Sequence, residues 1–550
     1  MDEKKRCAET IKVTKGKYPT VFGGIGFHNN EAMLYKIIEP EHFNQVLGKC
    51  YREIAPGFMR TFGGYDDWTR DHMDSFVEYY EKMQKVTDTP IYLAGAKGKM
   101  HFSEEEMEKW ANDVADKFYY LKREKGVKHL RYYCFSNEMS QCGWGDLMKN
   151  LPLFKRYHEM LYRAFQNKGV DIGLVATDAS GYENWKTAEW AMEHMNLITE
   201  DYCVHIYEMQ HGIEDLDFYD FFYDKCNDIV KKAISHDGRR VILGEVGLQK
   251  NDTTHLTYQN GVIADVCRYY ENDFERAHCA LMQAEMIFAA INAGILSLIY
   301  WSYTDYPDPY SCAYAEKEGY AKKWGECEKF VSGTTDVKYN KWGVFHWEDD
   351  GDYSAREFYW CLAPLMKLFK SHSKVLDITV EDKLLRCCGV LNRDGSVSIG
   401  IVNRHAEPVE IRLDSSLFGK QVRVYEYDPK NPPVNPFADI QEYCALLDRE
   451  DTVYTLKGTS VTFFTTDYEE KAASVWAEGL SVFNNTLSWE EVSDPKHCYY
   501  RVYAAKEPDF IPGRENQIAS TIATSLPIRD ERLYYKVLSV DRSGNGLLRP

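Results

Sequence analysis

Eight short apolar runs, spaced so that one helix fits between each and the next, constrain this chain more than any other feature. They are Val21–Phe27, Phe58–Phe62, Pro90–Ala94, Lys128–Ser136, Asp171–Thr177, Asp201–Tyr207, Arg240–Glu245 and Ile295–Trp301. Their starts lie roughly 30 to 55 residues apart, the length of a strand, a helix and two loops. Apolar-aromatic runs of this length suit strands covered on both faces, as in a parallel sheet. Between them, Asp71–Val86, Ser103–Lys122, Leu153–Asn167, Phe218–Ser235 and Arg276–Ala293 carry helical patterns, and Ser103 begins the Ser-Glu-Glu-Glu signature of a capping box. A doubly wound sheet shows the same local alternation, but the count of eight selects an α/β chain closed as a (β/α)8 TIM barrel over residues 14–371, with Ala355–Ser371 as its last helix.

Beyond residue 371 the apolar period falls to two. Leu384–Leu391, Ser396–Val402, Val409–Leu413, Gln421–Tyr427 and Ser460–Thr465 alternate apolar with polar residues and are separated by turns such as Asn392-Arg-Asp-Gly395. This predicts an antiparallel β-sandwich over 372–468. The alternating segment Cys7–Val13 is expected to join that sandwich rather than the barrel. A third pattern runs through Thr486–Trp489, Tyr499–Tyr503 and Leu533–Asp541. It resembles a fibronectin type III domain over 472–550, with Trp489 as the core tryptophan and Tyr534–Tyr535 at the tyrosine corner.

The chemistry gathers at two of the barrel runs. Arg131-Tyr-Tyr-Cys-Phe-Ser-Asn-Glu138 and Arg240-Val-Ile-Leu-Gly-Glu245 both end in glutamate. The carboxyl ends of barrel strands face the active site, so charged residues there point to catalysis. One proton donor and one nucleophile or base are the minimum equipment for cleaving a glycosidic bond. A donor must hold its proton at neutral pH, and the apolar Tyr133 and Phe135 are expected to favour the neutral form of Glu138. Glu245 needs donors or positive charge to stay ionised, and Arg60, in Phe58-Met-Arg60-Thr-Phe, is placed to supply it. In His205-Ile-Tyr207, strand alternation puts both polar side chains on one face. Trp301 ends the eighth run, where its ring can stack on a sugar. His28 and Asn29 follow the first run and offer polar groups to sugar hydroxyls. Each has a plain structural alternative: Glu138 starting a surface helix, Arg60 in an interior salt bridge, His205 as a satisfied core histidine, Trp301 in core packing.

With these residues the barrel resembles clan A of the retaining glycoside hydrolases. There the acid/base glutamate follows an asparagine at the end of the fourth strand and the nucleophile ends the seventh. The resemblance implies Glu138 as acid/base, Glu245 as nucleophile and Asn137 as a hydrogen-bond partner of the sugar 2-hydroxyl, with helix capping as its alternative role. His205-Ile-Tyr207 resembles the His-x-Tyr found at the sixth strand, implying that Tyr207 donates to the nucleophile and His205 contacts sugar. A sandwich built partly from the N-terminus makes family 39 and its relatives the most similar. One departure is that Met139 and Ser140 follow Glu138 where many members have proline.

Composition removes other functions. The chain has 66 basic against 85 acidic residues, a net charge of −19, which repels phosphate backbones, so nucleic acid is not an expected partner. No run approaches the roughly 18–20 apolar residues of a membrane span. Fifteen cysteines without a C-x-x-C, and no signal-like apolar stretch near Met1, lead to an expectation of reduced thiols and a cytoplasmic location. The sequence has no His-Glu-x-x-His, Gly-x-Ser-x-Gly or phosphate-loop spacing, so no metal or cofactor is expected. Tyr306, Tyr310, Tyr314, Tyr320 and Trp324 crowd the stretch from Tyr303 to about Asn340. Such a loop either walls a pocket for terminal sugars or packs on the sandwich or another subunit, which leaves a homo-oligomer open. The expected function is a retaining, exo-acting hydrolase of short oligosaccharides or glycosides. A lapsed barrel that binds or scaffolds carbohydrate, and a transglycosylase, share the same framework.

Overall fold

The computed structural model describes residues 8–17, 20–33, 38–64, 68–95, 103–138, 149–209, 216–236, 238–249, 273–307, 339–340, 342–346, 353–414, 416–419, 421–448, 453–467, 475–494, 497–529 and 533–542. Eight parallel strands close into a barrel: Gly24–His28, Met59–Phe62, Ile91–Ala94, Leu130–Cys134, Gly173–Ser180, Asp201–Met209, Val241–Gln249 and Ser297–Tyr300. Closure is made by Ser297–Tyr300 pairing in register with Gly24–Phe27. Strand alternation sorts the side chains. Tyr92, Tyr132, Cys134, Val175, Cys203 and Ile299 fill the barrel interior. Tyr133 and Phe135, one residue out of phase, pack outward against Phe118 and Phe165 and against Trp110 and Phe154.

Helices Arg70–Met83, Glu104–Tyr119, Leu151–Lys168, Lys186–His194, Phe218–His236 and Asp273–Ala293 cover the barrel. The Ser103 hydroxyl accepts the Glu106 amide and donates to the Glu106 carboxylate, so the N-cap forms where the motif places it. Lys186–His194 carries no sequence signal that singled it out. Among the described residues no helix is long and apolar enough to cross a membrane.

Several boundaries differ from the sequence pattern, among them those of the first, sixth and seventh strands. The first run breaks at Gly23: Val21–Phe22 pair antiparallel with Ser373–Lys374, and the barrel strand starts at Gly24. Gly24 has φ +100°, and a Cβ there would lie 2.8 Å from the Gly57 backbone, so the chain turns and approaches a neighbour in a way a side chain forbids. The sixth and seventh strands do not end at Tyr207 and Glu245 but run on, paired, to Met209 and Gln249.

Ser373–Thr379, Leu385–Leu391, Val397–Asn403, Val409–Asp414, Gln421–Tyr427, Ala445–Asp448, Val453–Leu456 and Ser460–Thr465 form the second unit. Glu9–Lys15 enters it between Ser373–Thr379 and Val409–Asp414, antiparallel to the first and parallel to the second. Ile11, Val13, Ile399, Ile401, Val424 and Phe464 make its core. The third unit has two three-stranded sheets, Ser481–Phe483 with Thr486–Ser488 and Ser525–Pro527, and Gln517–Thr521 with His497–Ala505 and Tyr534–Asp541. Trp489 meets Tyr500 edge-on at 5.4 Å in its core, whereas Tyr534 is half exposed.

All three units meet at one buried carboxylate. Asp439, in a sandwich loop, accepts from Lys49 of the barrel at 2.7 Å and from Arg501 and Ser520 of the third unit at 3.1 and 2.9 Å. Burial would raise its carboxyl, but Lys49 and Arg501 hold it down at about 2. Removing one partner of such a cluster strands buried charge. Asp439→Ala is therefore expected to destabilise the protein by about 3–5 kcal/mol, read from the urea midpoint. Because the folded carboxyl is held below its ordinary 3.8, this contribution is complete above about 3.8 and vanishes as pH falls through about 2. A shift equal to that of a surface Asp→Ala control would contradict this account.

Candidate active site

The site lies toward the carboxyl ends of the barrel strands, with Arg60 inside the second, Met59–Phe62. Its guanidinium is fully buried and donates to Glu245 Oε1 at 2.5 Å, Asn137 Oδ1 at 2.6 Å and Asp178 Oδ2 at 3.0 Å. One side chain thus joins four strands. Tyr207 donates to the other Glu245 oxygen at 2.6 Å, so each oxygen of that carboxylate has its own donor. Glu138 follows the fourth strand on the inward-facing side, two residues beyond buried Ser136. It sits at φ +43°, a left-handed conformation that a non-glycine residue keeps only where its surroundings impose it. Tyr133 and Phe135 do not surround Glu138: strand parity sends them to the helix layer.

Glu245 is aimed by a bulge. The pairing of the sixth and seventh strands passes from Val204–Leu243 to His205–Glu245, leaving Gly244 as the extra residue. A Cβ on Gly244 would lie 2.2 Å from Cys203 Sγ and 3.0 Å from His205 Nε2, so only glycine allows this approach. His205 is fully buried, with Nδ1 3.6 Å from Glu138 Oε1 and 3.7 Å from Glu245 Oε2, and Nε2 3.5 Å from Asp178 Oδ1. It is therefore enclosed by carboxylates rather than open to a sugar. Burial lowers its proton affinity, but Glu245 and Asp178 more than reverse this and carry the imidazole up to about 9. Burial pushes the Glu245 carboxyl above its ordinary range, opposed by His205, Arg60 and Tyr207 and reinforced by Glu138.

His28 pairs in register with Arg60 and lies under the site, its ring 4.7 Å from Phe62 and 4.3 Å from Trp301. Burial, with Arg60 and His205 nearby, holds it neutral, and neither ring nitrogen makes a hydrogen bond of ordinary geometry. Trp301 is half buried, so a face remains for a ligand. Asn29 is displaced from the predicted role: its amide donates to Tyr79 at 3.2 Å and accepts from Tyr51 at 3.0 Å, both outside the barrel mouth. Two participants carried no sequence signal. Asp178 sits in the Arg60 cluster, and Trp342 meets the Tyr207 ring at 5.6 Å. Tyr310, Tyr314, Tyr320 and Trp324 lie outside the described residues.

Among the described residues two donor groups are close enough to bracket a cation, Asp178–Cys203–His205 and Glu138–His205–Glu245. In each group one carboxylate is already engaged by the buried Arg60 guanidinium, Asp178 Oδ2 at 3.0 Å and Glu245 Oε1 at 2.5 Å. A cavity of about 360 Å³ opens at the opposite end of the barrel, lined by Arg131, Phe165, Ile172 and Glu200, and touches none of these residues.

No protein-family model and no curated protein matches the sequence. The fold is shared with solved structures. The catalytic domain of GH30 xylanase C from Talaromyces cellulolyticus is 13% identical, with TM-score 0.57 over 83% of this chain and 99% of that one. A bacterial orthologue of human α-L-iduronidase is 13% identical, with TM-score 0.56 over 98% of both chains. The GH51 arabinofuranosidase from Xanthomonas axonopodis pv. citri is 12% identical, with TM-score 0.53 over 83% and 99%. At these identities the likeness is one of fold.

The Gly244 bulge yields a direct test of how the site is held. Gly244→Ala is expected to cost about 1–3 kcal/mol of stability through overpacking against Cys203. Gly244→Ala with Cys203→Ala should recover most of that loss, because the second change removes the sulfur the methyl meets. Additive losses in the unfolding midpoints would mean the clash lies elsewhere.

Proposed function

We propose that the protein is a retaining glycoside hydrolase, with Glu138 as acid/base and Glu245 as nucleophile. One observation carries this reading: a carboxylate oxygen of each residue lies within 4.8 Å of the other, with His205 between them. Retaining enzymes hold their carboxyl groups about 5–5.5 Å apart, whereas inversion needs about 6.5–9.5 Å to admit a water. The shared fold supports the same class, since the solved structures that adopt it include a xylanase and an arabinofuranosidase.

In the first step Glu245 attacks the anomeric carbon as the bond to the leaving oxygen breaks, and Glu138 gives its proton to that oxygen. In the second, Glu138 takes a proton from water, whose oxygen displaces Glu245 from the sugar. Arg60 and Tyr207 hold one oxygen each of Glu245, fixing the carboxylate for attack and stabilising it again as it leaves. The Asn137 carbonyl is tied to Arg60, which leaves its amide nitrogen as the group to meet the 2-hydroxyl.

Exo action on short oligosaccharides or glycosides is supported by the aromatic-rich stretch after Trp301 and by the half-buried rings of Trp301 and Trp342 beside Tyr207. Placement near family 39 rests on the sandwich that takes up the N-terminal strand. A fibronectin type III-like third unit, acting as a packing partner, fits its core of Trp489 and Tyr500.

Aryl glycosides of xylose, arabinose, galactose and glucose test the reading, since a binding protein turns over none. Glu245→Gln should abolish turnover of every substrate, because no glycosyl-enzyme forms. Glu138→Ala should lose about 10²–10⁴-fold on poor leaving groups and far less on activated ones, with azide restoring turnover and giving a glycosyl azide of retained configuration. Equal losses on good and poor leaving groups, without rescue, would remove the acid/base role from Glu138.

A further inference from the structure

Asp178 is the group in the Arg60 cluster that neither step of the proposed reaction uses. Its carboxylate is fully buried, and its contacts come from three other strands: Arg60 Nη2 at 3.0 Å, the Tyr92 hydroxyl at 2.6 Å and His205 Nε2 at 3.5 Å. The Cys203 thiol adds a further donor. The fold makes a local exception to place it. The pairing of the fifth and sixth strands passes from Thr177–Cys203 to Ala179–Val204, leaving Asp178 as the extra residue of a bulge, at φ +54°. Bulges next to active sites re-aim side chains, and a left-handed aspartate is held there by its contacts.

A counterion for Arg60 alone does not require this arrangement, because Glu245 already contacts the guanidinium at 2.5 Å. The charge balance of the reaction gives the reason. The proposed reaction starts with the transferable proton on Glu138, and Arg60 together with His205, which has carboxylate oxygens of three residues within 3.5–3.7 Å, then faces Glu245 and Asp178. In the glycosyl-enzyme Glu245 is a neutral ester and Glu138, having given up its proton, is the anion. His205 Nδ1 lies 3.6 Å from Glu138 and 3.7 Å from Glu245, so it keeps an anionic neighbour in both states. Asp178 is the anion that does not change.

We propose that Asp178 is a positioning residue that anchors Arg60 and His205 from behind, keeping both cations in place while the negative charge moves between Glu245 and Glu138. This rests on the retaining glycosidase reading. Without the Asp178 charge, two cations would face one anion in each state, and His205 is the one that can discharge. The groups that face this pair are Arg60 on the second strand, Tyr92 on the third, Cys134 and Glu138 on and after the fourth, Cys203 on the sixth and Glu245 on the seventh, with His28 on the first. Tyr92 and both thiols are pushed up by burial and stay neutral, and His28 is held neutral.

The test combines kinetics with a titration that needs no turnover. In full-length Asp178→Asn, kcat/KM on an aryl glycoside is expected to fall about 30- to 100-fold, and the alkaline limb of its pH profile to move down by about one unit or more. Nitrogen-15 spectra of histidine-labelled wild type, with His205 assigned by its loss in His205→Gln, should show both ring nitrogens protonated at pH 7.5 and deprotonating near 9. In Asp178→Asn that titration should move down. An unmoved pH profile and titration in a folded Asp178→Asn would overturn the proposal, as would a neutral His205 in wild type at pH 7.5, which decides the matter even if the variant does not fold. A wild-type chain that hydrolyses no glycoside but shows a charged His205 whose titration moves in Asp178→Asn would defeat the glycosidase reading, and with it the moving charge, while upholding the anchoring of Arg60 and His205 by Asp178.

Discussion

The buried guanidinium of Arg60 is the constraint on which the site depends. Removing an unpaired cation from water costs several kcal/mol even after relaxation, so it is tolerated only where acceptors are already arranged. Here they come from Asn137, Asp178 and Glu245, after the fourth strand and on the fifth and seventh. Each of those residues is therefore fixed by the same group, and a shift in any one strand end leaves Arg60 short of a partner. Donors and acceptors held in place by one another are what electrostatic catalysis requires.

Regular strands would not bring these carboxylates together. Side chains alternate with period two, and two of the three acidic groups around His205 arise where that period is broken. Gly244 is inserted ahead of Glu245, and Asp178 is itself the inserted residue. The third, Glu138, leaves its strand in a left-handed conformation. Glycine at 244 is required by the closeness of Cys203 and His205, so the packing beneath the site and the aim of Glu245 are one problem.

Buried charge does not by itself mark catalysis in this chain. Asp439 with Lys49 and Arg501, and Asp305 with Arg356 at 2.8 and 2.9 Å, are as well buried as the site and serve to join units or close the chain after the eighth strand. The Arg60 cluster differs in having an open side, where Glu138 and Trp301 remain partly exposed.

By itself the sequence determined the eight strands, most of the helices and the placing of Arg60 beside Glu245, while the pairing of Tyr207 with Glu245 was what the family resemblance implied. These are local features: hydrophobic period reports burial, and a charge that interrupts an apolar run reports where the run leaves the apolar interior, even though the strand itself continues past Glu245. Only the tertiary structure decided which way Tyr133 and Phe135 face, that Asn29 is spent on Tyr79 and Tyr51, that His205 is enclosed by carboxylates, and that Asp178 belongs to the site. It also added strands that the pattern left out, among them Ser373–Thr379 and Val453–Leu456, which draw their order from neighbours in the sheet. The physical reason is distance along the chain. Arg60 meets Asp178 across 118 residues and Glu245 across 185, and the bulge that turns Asp178 inward exists only because Cys203 and Val204 pair on either side of it.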